Sequence, residues 1–275
     1  MKKHAWPLSL RSLWLLGCIA LLILVTLFHL GNEVDSRGRA RVELIVNELT
    51  ALDLAINLEV LKLRQGQRLD YDGLVVASRN IDQKLSALQD EFGKFSLKAE
   101  LSMANSRWLE KKNGLDRFTR IHAVFNTSQY HFMNLAEVFG KKQSSPGLIL
   151  TSQRLMAFLI NGGNNDLPIL VSALYQLDQD IVHWPAADRV PGKLLVMHAS
   201  TMLENFRDLQ GVSQQLLESP FAGDVNVAYR HYAEAHADAI RVAAYYRWGL
   251  AAFALFLVGM VILTLARLRN ALSAL

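Results

Sequence analysis

The chain has 275 residues, of which 51% are hydrophobic and 20% charged, and its mean hydropathy of +0.16 is high for a soluble globular protein. A single cysteine excludes a disulfide scaffold and a zinc site built from cysteine ligands. The net charge is only +4 and no basic stripe alternates with aromatic residues, which argues against a nucleic-acid partner.

The first predicted element is an apolar run over residues 13–30, LWLLGCIALLILVTLFHL, which carries no formal charge. Its length is close to the roughly 20 residues that cross about 30 Å of hydrocarbon. A cleaved signal peptide and a lipoprotein anchored at Cys18 are the alternatives. Both are disfavoured because the apolar run continues well beyond Cys18 and no small-residue cleavage site follows it. We predict an uncleaved transmembrane helix over 13–31.

The segment that follows has helical periodicity and no alternating pattern typical of strands. Turn-forming residues divide it into seven predicted helices: 33–65, 72–92, 96–140, 147–161, 166–182, 191–218 and 221–270. A chain that leaves a membrane and returns to it needs an even number of antiparallel helices, because each reversal changes its direction. Either one joint bends without reversing, or the third helix breaks near Asn113-Gly114 and gives two four-helix bundles.

The first exported helix has two apolar faces. One face carries residues at spacings of three and four, among them Ile45, Leu49 and Ile56, and a second face carries Leu44, Leu54, Leu58 and Leu61. A helix that is apolar on two sides is typical of a bundle that also associates with another chain. The pattern therefore favours a homodimer.

A second uncharged run, Trp248 to Ala266, lies near the other end of the chain. Two buried core helices would be the alternative to two membrane spans. Lys2, Lys3 and Arg11 precede the first run, Arg267 and Arg269 follow the second, and basic residues stay on the cytoplasmic side. The predicted organisation is a cytoplasmic N-terminus (1–12), a span (13–31), an exported domain (32–247), a span (248–266) and a cytoplasmic tail (267–275).

No pattern in the sequence indicates catalysis. The eight histidines show no metal-ligand spacing, a serine nucleophile elbow is missing, and Gly162-Gly163 lacks the strand and lysine of a phosphate-binding loop. We therefore predict a protein that is not an enzyme and that has no metal site and no cofactor.

Residues 60–75, VLKLRQGQRLDYDGLV, form a polar patch between two apolar helices. One interpretation is a helix hairpin whose second helix is capped by Asp72, since aspartate is a good N-cap. The other is that Arg64, Tyr71 and Asp72 line a pocket for a small polar ligand. A second stretch, residues 117–132, places Asn126 and Ser128 on an otherwise apolar helix, where buried polar groups need partners.

The patch resembles the L-x-x-R-x-G…N-Y-D-x-L signature of the dual all-alpha-helical ligand-binding (DAHL) sensor domains. The matching residues are Leu61, Arg64, Gly66, Tyr71, Asp72 and Leu74, and the departures are Asp70 and Gly73. The second stretch is similar to the F-K-x-x-N-A-V-L-x-N-S segment of that family. It matches at Phe118, Ala123, Val124 and Ser128 and departs at Thr119, His122, Phe125 and Thr127.

The resemblance implies an all-α fold of two transmembrane helices flanking an exported double helical bundle. It also implies a homodimer in the bacterial inner membrane, with the main domain in the periplasm, and a small-molecule ligand or periplasmic binding protein as partner. Because few residues follow the second span, the expected effector is a histidine kinase or cyclase in trans. The predicted function is a membrane-anchored sensor subunit that passes a conformational signal across the membrane. The alternative is a periplasmic scaffold or tether that senses nothing.

Overall fold

The computed structural model describes residues 10–32, 37–67, 70–141, 146–161 and 167–272, which form α-helices and no strand, as predicted. The helices are α1 (Leu10–Asn32), α2 (Gly38–Arg64), α3 (Asp72–Gly93), α4 (Lys98–Lys141), α5 (Pro146–Asn161), α6 (Leu167–Asp180), α7 (Ala186–Leu217) and α8 (Phe221–Leu272). One turn of 3-10 helix, Ile181–His183, separates α6 from α7.

The third predicted helix, 96–140, is confirmed as α4, and the alternative of a break near Asn113-Gly114 does not occur. A Cβ atom at Gly114 would lie 3.0 Å from Cδ2 of Leu216, so the glycine allows α7 to pack closely rather than ending the helix. The predicted start of α7 at residue 191 is wrong, because α7 begins five residues before Pro191 and has Pro185 as its N-cap. Pro191 lies inside the helix, where it has no N–H to donate to the carbonyl four residues earlier.

The described residues fold into two compact units. The first contains those of Met1–Asn47, Ala87–Leu101 and Asn226–Leu275, and the second contains those of Glu48–Ser86 and Ser102–Val225.

In the first unit, aromatic rings from α3, from the turn after α3 and from α8 pack together. The ring of Phe92 stacks on Tyr232 at a centroid distance of 5.1 Å, and Phe95 meets Tyr232 edge-on at 5.2 Å. Glu91 accepts hydrogen bonds from Arg41 at 3.0 Å and from Lys94 at 2.8 Å. The charged contact joins the start of α2 to the end of α3, and the ring contacts join the end of α3 to α8.

The first unit also joins α1 to α8. Arg247 Nε donates a hydrogen bond of 2.8 Å to the carbonyl oxygen of Gly31, in the last turn of α1. That carbonyl is one of the four at a helix C-terminus that lack a partner within the helix. A Cβ atom at Gly31 would lie 3.1 Å from Cγ of Arg247, so the glycine leaves the space that the arginine stem occupies.

The structure contains an apolar helical stretch that could cross a membrane, judged by length and composition. It lies within Ala186–Arg267, where an eighteen-residue window has a mean hydropathy of 2.5 and no buried residue. The charge-free run from Trp248 to Ala266 in α8 places this window at the C-terminal end. The apolar part of α1 is shorter in the described residues, Gly17–Asn32, so the first of the two spans stays a prediction.

In the second unit, one core lies among the C-terminal part of α4, α5, α6 and the N-terminal part of α7. Its fully buried aromatic rings include Phe132, Phe139 and Phe158. The ring of Phe158 lies 5.0 Å from that of Phe206, and the ring of Phe139 lies 5.1 Å from that of Trp184. Four helix segments around one apolar core form a four-helix bundle.

The second unit also contains a buried charge. The ammonium of Lys111 on α4 donates hydrogen bonds to Asp53 Oδ1 at 2.7 Å and to Asn57 Oδ1 at 2.8 Å, both on α2. The Lys111 side chain has no exposed surface and that of Asp53 is 7% exposed. Burial lowers the pKa of Lys111, and the hydrogen bond that it donates to Asp53 offsets part of that effect. The charge is tolerated because two acceptors surround it.

Candidate functional site

The turn after α2 explains the arginine and glycine of the polar patch. The N–H of Gly66 donates to the carbonyl of Leu63 and the N–H of Gln67 to that of Lys62, both at 2.9 Å, which is the Schellman arrangement at a helix C-terminus. Gly66 has a φ of +69°, where a side chain would be strained. Arg64 is the last residue of α2 and its side chain is exposed.

Tyr71 and Asp72 lie at the start of α3, where Asp72 does not have the predicted role of N-cap. The carbonyl of Tyr71 accepts the first helical hydrogen bond, from the N–H of Val75 at 3.1 Å, so Tyr71 is the N-cap residue. Asp72 is the first residue inside the helix and is exposed. Its carboxylate is favourable there because of the helix dipole, and the prediction that it caps α3 is wrong by one position.

His122 on α4 links the two ends of this turn. Its Nε2 lies 2.9 Å from the carbonyl oxygen of Leu63, and its Nδ1 lies 2.9 Å from Oη of Tyr71. A carbonyl can only accept, so Nε2 of the neutral ring carries the proton, and the hydroxyl of Tyr71 donates to Nδ1. His122 is buried and stacks on Phe118 at a centroid distance of 5.5 Å. This network therefore joins α2, α3 and α4.

A groove of about 410 Å³ lies between α3 and α4 in the second unit. Its α3 wall comprises Tyr71, Leu74, Val75, Ser78, Arg79 and Asp82, and its α4 wall comprises Lys112, Leu115, Asp116 and Thr119. Its volume lies within the range of about 300–1,000 Å³ typical of small-molecule sites. Apolar and polar side chains share the lining, as such sites require.

Asp82 forms a cross-link at one end of the groove. Its Oδ1 accepts a hydrogen bond from Trp108 Nε1 at 2.7 Å, and its Oδ2 accepts one from Lys112 Nζ at 2.6 Å. Burial raises the pKa of Asp82, but the hydrogen bonds from Lys112 and Trp108 together outweigh it, and the pKa lies below its ordinary value. The carboxylate therefore stays ionised at neutral pH and holds α3 to α4.

The DAHL domain family matches residues 34–247 of the chain. The chain belongs to the DAHL family. No curated protein and no solved structure matches it. DAHL domains are helical sensor domains, and the helices of the matched segment agree with that class.

The DAHL signature residues are only partly brought together by the fold. Tyr71 lines the groove and bonds to His122, whereas Arg64 lies at the exposed end of α2. Asn126 is half-buried one turn after His122 on α4, and Ser128 is buried at 5% exposure. Since Ser128 follows Asn126 by two residues, the two point to different sides of the helix.

His122 is the residue of this DAHL site that sequence reasoning missed. It departs from the family segment, so the resemblance assigned it no role. The available signal was its position four residues after Phe118, which places both on one side of α4. Spacing within one helix does not reveal that Asp82 contacts Trp108 and Lys112. Asp82 lies on α3 and the other two on α4, so these contacts depend on how the two helices pack.

The His122 network predicts a loss of stability in mild acid. Burial lowers the pKa of His122, and the hydrogen bond to Leu63 offsets part of that effect. Below pH 6.5 the unfolded chain binds a proton that the folded chain does not, so the free energy of unfolding should fall as pH falls, by at most about 1.4 kcal/mol per unit. Urea unfolding at pH 7.5 and pH 5.0 measures the loss.

A matched pair of variants assigns that loss to His122. Glutamine can donate to Leu63 and accept from Tyr71 but does not titrate, so His122→Gln should lose less stability between the two pH values than the wild type. His183→Gln, at an exposed histidine of the 3-10 turn, should keep the wild-type loss. His198, whose pKa is also lowered by burial and by His131, contributes to the remainder. Equal pH dependence in wild type and His122→Gln would show that His122 is not responsible.

Proposed function

We propose that this DAHL protein is a membrane-anchored sensor that binds a small polar ligand outside the cytoplasm and passes a conformational signal inward. The family match over residues 34–247 carries the proposal, since it covers the domain that the sequence places between two spans. The groove between α3 and α4 supports it by offering a mixed polar and apolar site beside the family signature. Arg64, Asp72, Asn126 and Ser128 remain proposed contributors to ligand binding.

The groove is connected to the rest of the second unit in a way that suits a sensor. Tyr71, on the groove wall, donates to His122, and His122 donates to the last turn of α2. A ligand that moves Tyr71 therefore disturbs the contact between α2 and α4. It can bias two arrangements only by its difference in affinity for them, and a tenfold preference corresponds to about 1.4 kcal/mol.

The proposed placement is the bacterial inner membrane, with spans 13–31 and 248–266, both termini in the cytoplasm and residues 32–247 in the periplasm. The charge asymmetry around the two apolar runs supports it. The proposed assembly is a homodimer through α2, supported by Leu54 and Leu58, which lie one turn apart and are 68% and 50% exposed. A histidine kinase or cyclase on the cytoplasmic side, in the same or another chain, would read the signal.

A thermal-shift screen of the full chain in lipid nanodiscs against small metabolites and purified periplasmic binding proteins tests the sensor proposal. A ligand at 100 times its dissociation constant should stabilise the folded state by about 2.7 kcal/mol. Val75 lines the groove and Val76 does not, although both side chains are more than half exposed. Val75→Trp should fill the groove and abolish the shift, whereas Val76→Trp should leave it unchanged. If nothing stabilises the wild type, the sensor proposal fails and the scaffold alternative gains support.

A further inference from the structure

Contacts between α3 and α4 lie near both ends of the groove. At one end Asp82 on α3 binds Lys112 on α4, and at the other Tyr71 on α3 binds His122 on α4. The pairing of Asp82 with Lys112 and of Tyr71 with His122 also shows that the two helices run antiparallel here. Eleven residues separate the two α3 contacts, which corresponds to ~16 Å along the helix.

Charged side chains stand at the same level between the two contacts. One turn from Asp82 toward Tyr71, α3 carries Arg79, and one turn from Lys112 in the same direction, α4 carries Asp116. Both line the groove and are exposed, and among the described residues neither side chain forms an ion pair. The groove therefore has a guanidinium on its α3 wall and a carboxylate on its α4 wall, each without an ion-pair partner among the described residues.

This arrangement selects by charge. A simple anion would be attracted to Arg79 but repelled by the carboxylate of Asp116. A simple cation would be attracted to Asp116 but repelled by Arg79. A molecule that carries both charges can satisfy both walls at once. Arginine in particular presents a planar fork of donors that matches a carboxylate in two hydrogen bonds. Leu74, Val75 and Leu115 supply the apolar surface between them.

We propose that the groove binds a small zwitterion of the amino acid class. Its carboxylate lies on Arg79, its ammonium on Asp116, and its side chain against Leu74, Val75 and Leu115. The ligand thereby makes the cross-link between α3 and α4 that Arg79 and Asp116 do not make by themselves. This inference rests on the proposed sensor function and names the chemical class of its ligand.

The test is calorimetric titration of the full chain in nanodiscs with the twenty proteinogenic L-amino acids and glycine betaine. The tightest amino acid is then compared with two analogues, one without the amino group and one without the carboxylate. Each analogue should bind at least about tenfold more weakly, because a hydrogen-bonded charge pair is lost. Arg79→Gln and Asp116→Asn should each weaken the intact amino acid by a similar factor.

The variants and analogues together locate each charge. The analogue without a carboxylate should bind Arg79→Gln as tightly as it binds the wild type. The analogue without an amino group should bind Asp116→Asn as tightly as it binds the wild type. Arg154→Gln and Asp180→Asn change exposed charges of the second unit outside the groove lining and should bind like the wild type.

Three results would overturn the inference. If an amino acid binds and neither Arg79→Gln nor Asp116→Asn weakens its binding, the zwitterion binds outside this groove. Binding of a compound from another class, abolished by Val75→Trp, would leave the sensor function standing and remove the zwitterion. Absence of binding by compounds of every class would remove the sensor proposal as well.

Discussion

Replacing Lys111 by alanine should destabilise the protein by about 3–5 kcal/mol, the cost of leaving one partner of a buried ion pair without its counter-charge. Lys111 is fully buried, and its ammonium is the hydrogen-bond donor to both Asp53 and Asn57. Removing it leaves the buried carboxylate of Asp53 and the partly buried amide oxygen of Asn57 without that donor. Urea unfolding followed by circular dichroism measures the change.

The neighbouring lysine is the matched control for that prediction. Lys112 binds Asp82, but its side chain is 41% exposed and that of Asp82 43%. Exposed ion pairs contribute little, so Lys112→Ala should cost no more than about 1 kcal/mol. The double variant Lys111→Met with Asp53→Leu should lie within about 1 kcal/mol of the wild type, because it removes both buried charges together. A Lys111→Ala variant as stable as Lys112→Ala would refute the buried-pair interpretation.

Two glycines of α7 should respond in opposite directions to the same substitution. A Cβ atom at Gly192 would lie 2.9 Å from Cζ3 of Trp184 and 3.2 Å from Cγ1 of Ile181, and Trp184 packs into the apolar core of the bundle. Gly192→Ala should therefore destabilise the protein by about 1–3 kcal/mol through overpacking. At Gly211 a Cβ atom would have no neighbour within 4 Å.

Gly211→Ala should stabilise the protein by about 0.8–1.0 kcal/mol, since alanine is the better helix former and meets no obstruction. Both substitutions change helix propensity in the same way, so their difference isolates the contact with Trp184. Thermal denaturation of the two variants side by side measures that difference. Equal shifts of the same sign would mean that the ring of Trp184 moves aside without cost.

Most of the helices could be predicted from local sequence signals, whereas the contacts between helices could not. The spacing of Ile45, Leu49 and Ile56 indicated the buried side of α2, and all three are buried in the structure. Gly66 was read correctly as a helix stop because a positive φ favours glycine. Whether α4 breaks at Gly114 could not be decided from the sequence, since the packing of Gly114 depends on Leu216, about a hundred residues away in the chain.

The same limit applies to the site. Tyr71 was selected from the sequence and lines the groove, but its partner His122 lies on another helix and departs from the family segment. Lys111 and Lys112 are adjacent and identical in type, yet one is buried and the other is not. The rotation of α4 about its axis decides which lysine faces α2, and that rotation results from the packing of the whole unit.

The hydrogen bond from Trp108 to Asp82 gives the protein an intrinsic optical probe. The indole N–H lies 2.7 Å from a carboxylate oxygen whose companion oxygen holds Lys112 at the groove. The emission wavelength of indole depends on the charges around the ring. A molecule that disturbs Asp82 or Lys112 should therefore shift the emission maximum of Trp108. Four other tryptophans, Trp6, Trp14, Trp184 and Trp248, supply the background. Replacing them with phenylalanine would leave a single chromophore that reports events at the groove without an attached label.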